Sequence, residues 1–247
     1  FDDYAVWFDP SRKPADMPPR DAPPEDVLSR YDLVIVINSG SVPDISTDNY
    51  AKFQDYMNVG GRLWIIGLDN FNISGDRSDV HPAGSIANTY FGVDSVFIPN
   101  WTSQDSMTLE FVAAEPFGFW NSYLHNLQID QEKCKKLKGW STAVPARHYD
   151  VRGIPYVCFD GISNTLDYKG RIPYQRRMMS FISYYGSISP MHEMPCAVNY
   201  IGSTFRTAEF TFPLDLMKNE ASDNYPVYEV MWYTIEWFWQ RSEEHTS

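Results

Sequence analysis

The chain has 247 residues, 43% hydrophobic and 21% charged, with a formal net charge of −12 and a sequence pI of about 4.7. An acidic surface of this size repels polyanions, so nucleic acid is not expected as a partner. No run of about 18 apolar residues occurs, so no membrane span is expected either, and the length suits one large domain or two small ones.

Residues 4–8 (YAVWF) are a short apolar run ending at Asp9 and Pro10, the pattern of a buried strand. Residues 11–26 contain five prolines in sixteen positions, which removes backbone donors and imposes an irregular connection. Pro24 and the following Glu25, Asp26, Val27 and Leu28 suit a short helical turn. Residues 33–37 (LVIVI) then form a continuous, mostly β-branched run, as in a parallel strand covered on both faces. Ser46 or Thr47 can cap the next helix, whose apolar stripe is Tyr50, Phe53 and Met57. Gly60 and Gly61 stop it, and residues 63–66 (LWII) are a second buried strand. A strand–helix–strand unit of this length implies a right-handed parallel crossover.

The loop 68–84 is rich in Asp, Asn, Ser and Gly. A short helix is expected from Ser85 to Tyr90, stopped by Gly92, followed by short strands within 94–114 and an aromatic, irregular stretch over 115–148. Residues 154–159 suit a strand, and 174–186 fits helix or strand equally well. Residues 197–201 and 205–212 read as paired strands around Gly202 and Ser203. In the second, Ala208, Phe210 and Phe212 alternate with Thr207, Glu209 and Thr211, and Arg206 is a candidate partner for Glu209 or another buried carboxylate, or a contact for an anion. Residues 226–240 close the chain as a helix, with Val227, Val230, Met231, Thr234, Ile235 and Phe238 at helical spacing. No internal repeat or linker divides the sequence, so residues 1–240 are expected to form a single domain.

Cys134, Cys158 and Cys196 are odd in number and contain no CxxC pair, which fits buried thiols better than a disulfide framework. Aromatic residues make up 16% of the chain and suit either core packing or a sugar-binding surface. Residues 241–247 (RSEEHTS) match the in-frame translation of a common sequencing-library adapter, so they are expected to be a non-native tail and carry no functional argument.

Four stretches together resemble a known family: YAVWFDP, YDLVIVINSG, DNYAKFQDYMNVGGRLWIIGLDN, and CAVNYIGSTFRTAEFTFPLDLM followed by MWYTIEWF. They are similar to the class I glutamine-amidotransferase-like domain, in the version found in secreted bacterial multidomain proteins. The resemblance covers about half of the chain. It implies an α/β fold, a three-layer flavodoxin-like sandwich with a mostly parallel sheet, here missing its first strand and helix. A gap in the sheet would follow from that loss. It also implies a secreted or cell-surface location and, as partners, other domains of the same chain.

Catalytic members of that family carry a Cys in a Gly-x-Cys-x-Gly turn after the strand matching 63–66. This chain has Gly67, Leu68, Asp69, Asn70 and Phe71 there, with Asp69 at the Cys position and no second glycine. The expectation is therefore a non-catalytic structural or binding module that needs no cofactor. Asp69 and Asn70 nevertheless fall at the carboxyl end of a strand, where open α/β sheets bind ligands. Asp69 suits either a cation or sugar hydroxyl, or a turn that bonds its own backbone. Ser39 shares that edge, as a turn residue or an oxyanion contact. Glu115 is a candidate general acid, and with Asp69 it defines an alternative reading, a carboxylate-dependent hydrolase acting on carbohydrate. Asp76 and Asp79 with Asn70 and Asn72 lack EF-hand spacing, and no histidine pair has metal-ligand spacing, so no metal is expected.

Overall fold

The computed structural model describes residues 22–38, 50–67, 70, 78–93, 95–97, 111–130, 133, 161–162, 177–189, 192–220 and 225–240. The sequence-expected strands at 4–8 and 154–159 lie outside the described residues. In chain order the helices are α1 (Glu25–Leu28), α2 (Tyr50–Asn58), α3 (Ile86–Phe91) and α4 (Pro226–Trp239). The strands are β1 (Leu33–Asn38), β2 (Arg62–Gly67), β3 (Ser78–Val80), β4 (Ser95–Phe97), β5 (Phe111–Pro116), β6 (Leu127–Gln128), β7 (Gly161–Ile162), β8 (Arg177–Ser183), β9 (Pro195–Ile201) and β10 (Arg206–Phe210). The ambiguous segment 174–186 therefore resolves in part as a strand, β8.

Seven strands form one sheet in the order β1-β2-β10-β9-β8-β5-β6, curled as a half-barrel. A small second sheet has the order β3-β4-β7. The fold is α/β, but the large sheet is mixed rather than mostly parallel. Only β1–β2 and β2–β10 pair in parallel, and the other adjacent pairs are antiparallel. The reason is connection length. Residues 202–205 join β9 to β10, and residues 184–194 join β8 to β9, too short for the crossover of a dozen or more residues that a parallel pair needs. The expected gap in the sheet is also absent among the described strands. β10 pairs directly with β2, so β2 is hydrogen-bonded on both sides.

The sheet has helices on both faces. Leu63 and Ile65 of β2 and Val198 of β9 pack with Leu28, Phe53, Met57, Ala87 and Phe91 of α1, α2 and α3. Trp64, Ile66, Ala208 and Phe210 face the other way and pack with Val227, Val230, Trp237 and Phe238 of α4. This is the period-2 alternation of a strand buried on both sides. Trp64 meets Phe210 edge-on at 5.1 Å between ring centroids, and Trp237 meets Phe238 at 4.9 Å. β1 is less covered than its sequence suggests: Ile37 is 62% exposed. Its position at the end of the strand order accounts for that.

The turn from α2 into β2 depends on its glycine pair. Gly60 adopts φ 103°, and a Cβ on Gly61 would lie 2.4 Å from the Tyr56 ring. That close approach lets the Tyr56 hydroxyl donate to the Tyr31 carbonyl at 2.8 Å and accept from the Arg62 N–H at 3.3 Å. One side chain thus ties the end of α2 to the starts of both β1 and β2. Further along, Ser85 caps α3 by accepting from the Asn88 N–H at 3.3 Å, and the helix stops at Gly92.

Candidate functional site

The carboxyl ends of β2 and β10 hold the most unusual polar group among the described residues. Glu209 lies on β10, in register with Ile65 of β2 and Val198 of β9. It is 1% exposed. Its neighbours on both flanks are aliphatic, and among the described residues no ion pair offsets the cost of a buried charge. Burial pushes the carboxyl pKa from 4.5 up to about 8, against a smaller lowering by the Asn70 hydrogen bond. Glu209 is therefore largely a neutral acid at pH 7.

Asn70 is the residue that meets it. Gly67 ends β2 at φ 134°, a conformation that side chains rarely adopt. Asn70 is buried, and its Nδ2 donates to Glu209 Oε1 at 3.3 Å and to the Phe210 carbonyl at 3.0 Å. The Tyr50 hydroxyl, at the start of α2, donates to the Asn70 backbone carbonyl at 3.2 Å. Burial, and then the nearby Glu209, raise the Tyr50 pKa to about 12, so its hydroxyl stays protonated. Among the described residues, Glu209 Oε2 and Asn70 Oδ1 have no hydrogen-bond partner. A protonated acid offers a donor where an ionised one offers only acceptors, and an amide carbonyl is its natural complement. Protonation of Glu209 thus converts two orphaned acceptors into a donor and an acceptor.

The sequence-expected site residues are only partly brought together. Asp69 and Ser39 lie outside the described residues. Asn70 stands at the carboxyl end of β2, as expected from its position, but its amide is turned inward onto β10. Glu115 is exposed on β5, which is separated from β10 by β9 and β8. Three strand spacings put these strands roughly 14 Å apart. A pair of glycosidase carboxyls works at roughly 5–9.5 Å, and the expected partner of Glu115, Asp69, lies outside the described residues.

The expected Arg206–Glu209 pair does not form. Three positions apart on a strand, the two side chains leave opposite faces. Arg206 instead donates to the Trp237 carbonyl on the α4 side. Glu209 was the residue missed as a site candidate. The alternation over 207–211 reads as one apolar and one polar face, whereas Thr207, Glu209 and Thr211 are all buried. A carboxyl on a strand that helices cover on both sides was the available signal.

The remaining chemistry-bearing groups are accounted for locally. Cys196 is a buried free thiol on β9, and burial raises its pKa well above the usual thiol value, the opposite of nucleophile activation. Cys134 and Cys158 lie outside the described residues. His192 Nδ1 accepts from the Ser183 N–H at 3.2 Å. Among the described residues, no cluster of three or more His, Cys, Asp or Glu could hold a metal ion, and no helix is long and apolar enough to cross a membrane. Comparison of the chain with protein-family models, with curated proteins and with solved structures finds no match.

Proposed function

We propose that the chain is an amidotransferase-like α/β domain, a three-layer flavodoxin-like sandwich that lacks the family's thiol chemistry. In this reading it serves as a structural or binding module in a secreted or surface bacterial protein. The parallel β1–α2–β2 unit, with α1 to α3 on one face of the sheet and α4 on the other, supports the layered architecture.

The observation that carries the functional reading is the Asn70–Glu209 contact. In a thiol hydrolase the chain after this strand lifts a nucleophile toward solvent. Here the residue following Asp69 is anchored inward, to a buried neutral acid and to the β10 backbone. The polar groups at this edge bind one another, which suits holding a loop in place.

The partners in this reading are other domains of the same chain, and carbohydrate. Tyr228 and Trp232, one turn apart on α4, are both exposed and stack at 6.5 Å between ring centroids, a ring surface of the kind sugars pack against. The hydrolase alternative draws no support from the placement of Glu115.

The test is hydrolysis of glutamine and of p-nitrophenyl acetate by the purified chain. No turnover above background is expected. Turnover that disappears in Asp69→Ala would overturn the proposal.

A further inference from the structure

The opposite, amino ends of the same two strands carry a second constellation. Arg62 opens β2 and Arg206 opens β10, and the two are register partners. Register partners on parallel strands project to the same face and sit about 4.8 Å apart. Here that face is the α4 side. The Arg62 guanidinium lies 4.8 Å from the centre of the Trp239 ring, and that of Arg206 lies 5.5 Å from the Trp237 ring. A cavity of about 380 Å³ opens against them, lined among others by Gly60, Gly202, Thr204 and Trp239. Its volume falls within the range of small-molecule sites.

Among the described residues no carboxylate forms an ion pair with either arginine. The chain has 32 acidic residues against 20 basic ones, so carboxylates are not scarce. Arg206 gives one donor to the Trp237 carbonyl in the last turn of α4, where a cation also suits the helix dipole. A guanidinium has five N–H donors, so among the described residues most of those on Arg206 stay uncommitted. Arg62 lies over the Trp239 ring and has no side-chain hydrogen bond among the described residues. Burial first, and then the Arg62 charge, lower the Arg206 pKa, as expected for cations held close together.

We propose that this cavity binds a small molecule through a tetrahedral oxyanion, a phosphate or sulfate ester. One guanidinium fork saturates the two oxygens of a carboxylate. Two forks side by side match a group with three or more oxygens and more than one negative charge. The tryptophan rings lie within cation–π range of both guanidinium groups, which lowers the entropy lost when an anion docks. Trp239 is itself 51% exposed and offers a ring surface to the uncharged part of the ligand. The site lies at the other end of β2 and β10 from Asn70 and Glu209 and is independent of the function proposed above.

Isothermal titration calorimetry on the full chain at low ionic strength tests the assignment. The probes are inorganic phosphate, inorganic sulfate, glucose 6-phosphate, glucose 6-sulfate and glutarate. The inorganic anions are expected to bind at about 1–10 mM, one of the two esters about tenfold more tightly, and glutarate at least about tenfold more weakly than phosphate. The preferred ester identifies which oxyanion the site takes. Binding should weaken as salt is added. Arg62→Gln is expected to weaken phosphate binding about tenfold or more while leaving the urea unfolding midpoint unchanged, and Arg62→Lys, which keeps the charge but not the fork, to recover only part of the loss. The proposal is overturned by an absence of binding at about 10 mM, by glutarate binding as tightly as phosphate, or by Arg62→Gln binding as the unsubstituted chain does, which would mark an adventitious ion only.

Discussion

β2 and β10 end in opposite ways. At their carboxyl ends an acid and an amide are sealed beneath α2, with Tyr50 closing the contact. At their amino ends two arginines line a cavity. The difference follows from side-chain chemistry. A carboxyl can shed its charge by taking up a proton, so it tolerates full burial at the cost of a displaced pKa. A guanidinium cannot deprotonate under these conditions, so it must stay near solvent, stack on a ring or meet an anion. The same pair of strands therefore stores a pH-dependent interaction at one end and a charge-dependent one at the other.

The largest expected effect breaks the comparison at the carboxyl end through pH. The folded-state pKa of Glu209 is about 8, against 4.5 for the ordinary group. Between those values the folded chain holds a proton that the unfolded chain has released. Stability should then fall as pH rises through this window, with a limiting slope of about 1.4 kcal/mol per pH unit, and level off above the folded pKa. Below the ordinary value both states are protonated and the contribution vanishes. Urea unfolding of the native chain and of Glu209→Gln at several pH values isolates the effect, because Gln keeps the shape and cannot titrate. Equal slopes for the two proteins would mean that Glu209 does not titrate in this window.

A smaller effect is expected from Asn70→Ala. It removes the donor to Glu209 Oε1 and to the Phe210 carbonyl, both at a buried position. Leaving such acceptors unsatisfied costs about 2–3 kcal/mol, measurable as a lower urea midpoint with an unchanged m-value. The substitution has a second signature. The Asn70 hydrogen bond lowers the Glu209 pKa, so its loss should extend the pH-dependent decline to higher pH. A loss below about 0.5 kcal/mol with no change in the pH profile would remove the locked carboxyl edge from the comparison.

The two ends were unequally legible in the sequence. The β1–α2–β2 unit was readable because its hydrophobic periods and the glycine pair agree, and the helices found at Ile86–Phe91 and Pro226–Trp239 fall within a residue of expectation. Sheet order was not readable. Nothing local in residues 206–210 says that this strand joins β2 in parallel while its own hairpin partner runs antiparallel. That non-local placement is also what buries Glu209, so the acid could not be told from an exposed one by alternation alone. The arginine pair was hidden for the same reason. Arg62 and Arg206 are 144 positions apart (206 − 62) and meet only through register.

Arg206→Gln tests whether the amino end is held by its arginines or only carries them. The substitution deletes the donor to the Trp237 carbonyl and the contact with the Trp237 ring. Each contributes a fraction of a kcal/mol to about 1 kcal/mol at a partly exposed site. Against that, the change removes the repulsion from Arg62 and the desolvation that together lower the Arg206 pKa. The terms oppose one another, so the expected net loss is about 1 kcal/mol or less in urea unfolding, smaller than for Asn70→Ala. A loss above about 3 kcal/mol would mean that Arg206 is a structural keystone. The contrast between a locked end and an open one would then collapse, because both ends of β10 would be fixed by their polar residues.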